Sequence, residues 1–263
     1  MALFSQKTPT IPKKSRHEIN TMRAAGRILA ETHRVVAQAI QPGVTPYELD
    51  QIAEAYIRQQ GGSPTFKGYH GFPATLCTSI NDEVVHGIPR KDRVLKDGDV
   101  ISVDCGVNYR GWNADCAITH PVGIITPEVQ QLLTATRESL YAAIAMMREG
   151  NYLEDVSGAI EDVCAKYQYG LVKNYGGHGI GQNLHEEPFV HNYRTGNRGP
   201  ILRAGNTLAI EPMFNLGSAE VYTDSDEWTV ITVDHLPSAH FEHTVLVTEG
   251  EPEILTVLPE ESP

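Results

Sequence analysis

Cysteine is scarce in this chain: four in 263 residues, at Cys77, Cys105, Cys116 and Cys164, with no CxxC spacing among them. That scarcity speaks against a disulfide framework and predicts buried free thiols in a reducing compartment. Long apolar runs are missing too. Nothing approaches the ~18 residues of a spanning helix, and the first residues lack the apolar centre of a signal peptide. The expected setting is cytoplasmic, with no membrane partner. Positive charge is in deficit, 21 Lys and Arg against 33 Asp and Glu, for a formal net charge of −12. This balance argues against direct nucleic-acid recognition. Lys7, Lys13, Lys14, Arg16, Arg23, Arg27 and Arg34 make the N-terminal end locally basic and read mainly as a solvated face.

The composition, 41% hydrophobic and 21% charged, is that of an ordinary globular protein, and the length fits one large domain or two intimately packed halves. Residues 1–14, with Pro9 and Pro12, read as a flexible or surface-hugging arm. Residues 15–263 read as a single domain. Ser15 with Glu18 and Thr45 with Glu48 form two capping-box patterns, each opening a helix with apolar residues at helical spacing. Pro46 stands at the first position of the second helix. After strand-like segments from Phe66 to Thr119, Thr126-Pro127-Glu128 opens a third helix, and a fourth runs to about Tyr167. Helix, break, shorter helix and β material therefore occur twice. An offset of 107 aligns Gly43 with Gly150, Glu48 with Asp155, Leu49 with Val156 and Glu54 with Glu161. The order of elements favours an internal duplication, with halves at about 15–125 and 126–250, although helix geometry alone can generate so thin a match. A cleft between two such halves is a common place for a site.

Val100 to Thr119 reads as a β-hairpin with one aspartate on each arm. A loop at Tyr109-Arg110 puts Asp104 directly opposite Asp115, and a loop at Arg110-Gly111 makes them diagonal neighbours. A three-residue loop with a bulge sends them to opposite faces. Periodicity leaves the three registers open, as it leaves open whether the aspartates face solvent. Tyr175-Gly-Gly-His178-Gly-Ile-Gly-Gln-Asn-Leu-His185 sets two histidines among closely spaced glycines, a density that disfavours a packed core strand and lets backbone or ligand approach. Thr207-Leu-Ala-Ile-Glu211-Pro and Ala239-His-Phe-Glu242-His-Thr each place a glutamate in an apolar strand context. Four carboxylates then face the same difficulty, because desolvating a carboxylate costs several kcal/mol unless a cation or hydrogen bonds offset it. Separate salt bridges to Lys or Arg are one solution. A pair of divalent metals about 3.5–4 Å apart answers all four at once and activates water near neutral pH.

Gly68-Tyr-His-Gly-Phe-Pro, Ser79-Ile-Asn-Asp-Glu-Val-Val-His86-Gly, the hairpin, Gly177-His178-Gly-Ile-Gly, His185-Glu-Glu-Pro, Glu211-Pro-Met and Phe241-Glu242-His-Thr resemble, in order and spacing, the type I methionine aminopeptidases. The resemblance runs from about Ser15 to Thr248. It implies an α/β architecture of the α+β kind, the pita-bread fold, in which two pseudo-symmetric halves of helices pack on a curved antiparallel sheet around a dinuclear metal cleft. It also implies two divalent ions, with Co, Mn, Fe and Zn all compatible. By motif, Asp104 would chelate one metal and Asp115 would bridge both; His178 and Glu211 would complete the other, and Glu242 would be the second bridge. Glu211 would take a proton from the nucleophilic water, His185 would hydrogen-bond the scissile carbonyl, and His86 would steer substrate or leaving amine. Tyr69, Phe72, Cys77 and Trp228 match the walls of the methionine pocket, a composition suited to a thioether.

Leu184 stands where bacterial relatives usually carry phenylalanine, and Phe66 where many carry cysteine, which touches pocket shape and leaves the metal set intact. No cysteine precedes Cys77, so the chain resembles the short bacterial or organellar form without a zinc-binding extension. The implied substrates are N-terminal methionine peptides and nascent chains with a small second residue. A monomer is expected, and the basic N-terminal region leaves ribosome contact open. The rival readings are a related aminopeptidase or dipeptidase of the X-Pro type, and a peptide-binding module that has lost catalysis.

Overall fold

The computed structural model describes residues 10–257. The arm expected over residues 1–14 falls mostly outside them. Of four α-helices among the described residues, three carry the predicted caps. Helix α1 spans Arg16–Ala39 and α2 Pro46–Gln59, each behind a complete capping box from Ser15 and Thr45. Helix α3 spans Pro127–Ala145 behind Thr126, and α4 spans Leu153–Tyr167.

Nine strands make the main sheet: β1 (Ser63–Pro64), β2 (Leu76–Ile80), β3 (Val100–Tyr109), β4 (Trp112–Pro121), β5 (Gly177–Gly179), β6 (Glu186–Val190), β7 (Thr207–Ile210), β8 (Glu242–Leu246) and β9 (Glu253–Ile254). Their order is β1-β3-β4-β8-β7-β5-β6, with β2 also on β3 and β9 on β8, and every pairing is antiparallel. Alternation gives the sheet two different faces. Ile101, Val103, Cys105, Val107, Ala114 and Cys116 join α1 and α2 in one apolar core. Leu208, Ile210 and Val245 join α3 and α4 in another. The opposite face of the same strands therefore carries Asp104, Asp115, Glu211 and Glu242. All four cysteines are free and buried.

The offset of 107 extends well past the helices. Gly43 and Gly150 both take left-handed backbone, φ +98° and +95°. The Gly43 N–H donates to Leu95 O at 2.9 Å and Gly150 N–H to Leu202 O at 3.0 Å. Leu95 N–H returns to Val44 O at 2.9 Å, and Leu202 N–H to Asn151 O at 2.8 Å. Asp99 and Asn206 each close the turn before their strand by accepting the N–H of Lys96 and Arg203. These pairs give the two halves the same local frame, and the same offset carries Asp104 onto Glu211. The halves join where β4 meets β8, with Glu242 opposite Ala117 and His243 opposite Cys116.

Two sequence readings need correction. Gly177–Gly179 does form a strand, fully buried between β6 and β7. A Cβ on Gly177 would overlap the Ala209 carbonyl oxygen and one on Gly179 that of Glu187, so glycine here permits close strand approach and is no obstacle to a strand. Lys14 is not solvated. Its ammonium lies 2.6 Å from Glu186 with side chains only 6% and 15% exposed, its N–H donates to Gly205 O, and Ile11 just before it is buried in the second core. Replacing Lys14 by Met leaves the partly buried Glu186 carboxylate with the Asn183 N–H but without its counter-charge. A loss of about 2–3 kcal/mol is expected by urea denaturation, below the full cost of a broken buried pair because Glu186 keeps some solvent. A change under about 0.5 kcal/mol, the level of an ordinary surface substitution, would contradict the buried role.

Candidate metal centre and cleft

The hairpin turns at Arg110 and Gly111, both in left-handed backbone at φ +52° and +83°, which is the geometry of a two-residue hairpin loop. Tyr109 pairs with Trp112, so Asp104 lies opposite Ala117, and Asp115 opposite Gly106. The diagonal register is thus the one adopted, with both carboxylates on the cleft face. Glu211 follows the last residue of β7, where Pro212 ends the ladder, and Glu242 opens β8. His178 is paired with Ala209, which turns its ring to the same side.

All eleven residues singled out from the sequence line one cavity of about 590 Å³: Asp104, Asp115, His178, Glu211 and Glu242 with His86, His185, Tyr69, Phe72, Cys77 and Trp228. Ligand atoms of Asp115, His178 and Glu242 fall within 4.8 Å of one another. His178 Nε2 lies 3.9 Å from Asp115 Oδ2 and 3.8 Å from Glu211 Oε1. The other ring nitrogen, Nδ1, is 2.9 Å from the Gly179 carbonyl oxygen and must donate to it, so Nε2 faces the carboxylates with a lone pair and no proton, acceptor against acceptors.

Among the described residues, no Lys or Arg lines this cavity. Asp104 Oδ1 and Glu242 Oε1 are buried without a hydrogen-bond partner. Burial and the neighbouring carboxylates push the carboxyls of Asp104, Glu211 and Glu242 well above the usual range, and burial raises Asp115 as well. Burial lowers His178 to about 3 and His86 to about 4. Four carboxylates without a Lys or Arg partner, two of them with an unpartnered buried oxygen, together with one neutral imidazole suit hard to borderline divalent cations such as Mn, Fe, Co or Zn, so the residues present fit the metal pair.

Around this floor stand an aromatic wall and a ring of histidines. The Tyr69 hydroxyl is 3.0 Å from His185 Nδ1, and the Phe72 and Trp228 rings meet edge to face at 5.1 Å. Cys77 is buried opposite Asp104 on β2, and Leu184 is buried in the same apolar cluster as Phe72 and Trp228. His185 stands at the rim, its ring 4.3 Å from that of His178. His86 takes φ +61° at the end of Glu83–Val85, a conformation held at functional positions, and its ring meets Tyr175 edge-on at 5.6 Å. Sequence reasoning gave no role to Tyr175 or to His240, whose Nε2 lies 3.6 Å from Glu211 Oε2. A signal for His240 was present: it precedes Glu242 by two residues, and extended chain repeats its direction every second residue.

The cluster makes stability depend on pH and metal in a definite direction. Above about pH 7 the buried imidazoles are neutral in folded and unfolded chain alike. Carboxyls with raised folded pKa values hold protons that the unfolded chain has lost, so the metal-free fold loses stability as pH rises. A Tm falling between pH 7 and 8 in metal-free protein is expected, with Mn(II) raising Tm more at pH 8 than at pH 7 by calorimetry. A metal-free Tm that climbs over this interval would contradict the reading.

The sequence matches metallopeptidase family M24 over residues 20–249. Methionine aminopeptidase 1 of Bacillus subtilis is 49% identical over 243 residues, 92% of this chain and 98% of that protein. Methionine aminopeptidase 1 of Mycobacterium tuberculosis is 48% identical over 253 residues, covering 94% of this chain and 95% of that protein. The crystal structure of methionine aminopeptidase from Thermotoga maritima superposes with a TM-score of 0.93 at 41% identity, over 95% of this chain and all of that one. The prolidase of Pyrococcus horikoshii, at 22% identity and a TM-score of 0.77, shares the fold over 95% of this chain and 64% of its own. No helix among the described residues is long and apolar enough to cross a membrane. With the match running through both halves and relatives this similar over nearly their full length, the chain belongs to metallopeptidase family M24, among its bacterial-type methionine aminopeptidases.

Proposed function

We propose that this chain hydrolyses the first peptide bond of peptides and nascent chains that begin with methionine and carry a small second residue. One observation carries the reading: four carboxylates, Asp115 and Glu242 buried and Asp104 and Glu211 partly so, face the neutral imidazole of His178 with no Lys or Arg on the floor of an aromatic-walled cavity. Asp104, Asp115, His178, Glu211 and Glu242 would hold two divalent ions. When bound, such ions supply Lewis acidity, which lowers the pKa of water and polarises a carbonyl.

The protein's own groups divide the remaining work. Glu211, with its carboxyl pushed up by burial, accepts the proton of the attacking water as general base. Tyr69 donating its hydroxyl proton to His185 Nδ1 leaves the imidazole proton on Nε2, a donor for the scissile carbonyl as negative charge develops on it. His86, neutral because burial lowers it to about 4, accepts from or donates to the amide of the second residue and orients the leaving amine. Tyr69, Phe72, Cys77 and Trp228 enclose an unbranched thioether by burial and sulfur–aromatic contact.

We further read residues 15–263 as one catalytic domain with halves at about 15–125 and 126–250, a division supported by the hydrogen bonds repeated at an offset of 107. A cytoplasmic monomer is proposed, with exposed Lys13 and Arg16 available for ribosome contact.

Metal-loaded protein is expected to release free methionine from Met-Ala-Ser and far less from Met-Leu-Ser. Equal release from both, or none from the first, would sink the assignment. Asp115→Ala removes a ligand from the centre of the cluster and should cost several kcal/mol of barrier lowering, about 10³ in kcat. Parental turnover in that variant would contradict the role given to Asp115.

A further inference from the structure

His240 is 2% exposed, and both of its ring nitrogens are buried without a hydrogen-bond partner. An imidazole always carries at least one N–H, so a ring enclosed in this way is costly unless something in the cleft answers it. Its nearest acid is Glu211, with Nε2 to Oε2 at 3.6 Å. Closing that gap to a hydrogen bond takes about 0.5 Å of side-chain movement.

We propose that His240 is a positioning residue for Glu211, its Nε2–H tethering Oε2 so that Oε1 stays on the His178 side. The inference rests on the reading of Glu211 as general base.

Fixed backbones on both sides make this geometry specific. The His240 N–H donates to Thr119 Oγ1 at 2.9 Å, and the Thr119 hydroxyl stands 2.8 Å from the His240 carbonyl oxygen and 2.8 Å from Ser102 Oγ. The Glu211 carbonyl oxygen accepts from Asn192 Nδ2 at 3.1 Å, and Pro212 follows it. What remains free is the Glu211 side-chain torsion. His178 lies 3.8 Å from the other oxygen, but it spends its N–H on Gly179 and has none to give. Of these two imidazoles, His240 alone offers Glu211 a donor. With one oxygen tethered, the lone pairs of the other point at a constant place, where a ligand or base has to act.

Three readouts test the tether. His240→Leu should lower kcat for Met-Ala-Ser by about tenfold, the scale of a lost supporting hydrogen bond at a metal site, with KM within about twofold. Calorimetric titration of metal-free protein with Mn(II) should show the same variant weakened by about the same factor. His240→Gln restores an N–H donor and should recover most of both losses, which a packing role alone would not produce. In metal-free parental protein labelled with ¹⁵N-histidine, the His240 Nε2 resonance should move when Glu211 becomes Gln. A His240→Leu protein with parental kcat and Mn(II) affinity would overturn the proposal, and so would a His240→Gln protein as impaired as His240→Leu. Should His240→Leu fail to fold, the resonance shift and His240→Gln decide. A parental protein that binds Mn(II) and shows the shift, yet releases no methionine, would refute the assigned activity and leave the tether standing.

Discussion

Desolvated negative charge is the constraint on which this structure depends. Asp104, Asp115, Glu211 and Glu242 are drawn out of water onto one face of one sheet, and among the described residues no Lys or Arg lines their cavity. Every general rule for buried acids would assign each a basic partner. The fold spends its ion pairs elsewhere, as with Lys14 and Glu186, or Arg23 and Glu253 at the surface. Leaving the cleft without a resident cation keeps it available to a small, doubly charged one. The same repulsion that makes metal-free protein sensitive to pH makes the site a strong cation trap.

Bringing the five residues together requires both halves. The hairpin of β3 and β4 contributes the two aspartates, while β5, the end of β7 and the start of β8 contribute His178, Glu211 and Glu242. Each half buries its own helix-packed core, so the rear of the sheet is rigid where the front is polar. The seam between β4 and β8 sets Asp115 near Glu242, and the Thr244 hydroxyl, accepting from the Asp115 N–H and donating to the Asp115 carbonyl oxygen, locks that register. Four of the five proposed ligands therefore stand on strands, and the fifth, Glu211, directly follows one.

Much of this was legible in the sequence, for reasons that are local. Caps at Ser15, Thr45 and Thr126 follow from one hydroxyl and one backbone N–H, and a motif of three or four residues contains the whole interaction. The candidate acids were legible because a carboxylate in an apolar strand is a contradiction needing an external answer. What escaped was decided by distant partners. The strand at Gly177 depends on how near Ala209 and Glu187 come, and the burial of Lys14 on a glutamate 172 residues away. The hairpin register lay between these cases: two residues at positive φ settle it, and Arg110 gives little hint that it tolerates one. His240 was overlooked because it lay beside a more conspicuous glutamate.

The crowding around His178 bears on how such a chain can change over time. Any substitution at Gly177 or Gly179 adds at least a Cβ, and at both positions that atom meets the carbonyl of a neighbouring strand. No small first step exists there, because the least possible mutation already forces a strand apart. Gly106, two residues beyond Asp104 on the same face of its strand and opposite Asp115, is closed in a milder way by the ring of Phe66. Leu184 and Trp228 lie in the wall instead, in an apolar cluster and outside the strands. Drift is thereby channelled: backbone contact closes the two positions flanking His178 to any side chain, whereas wall residues outside the strands meet only neighbouring side chains they can trade volume with.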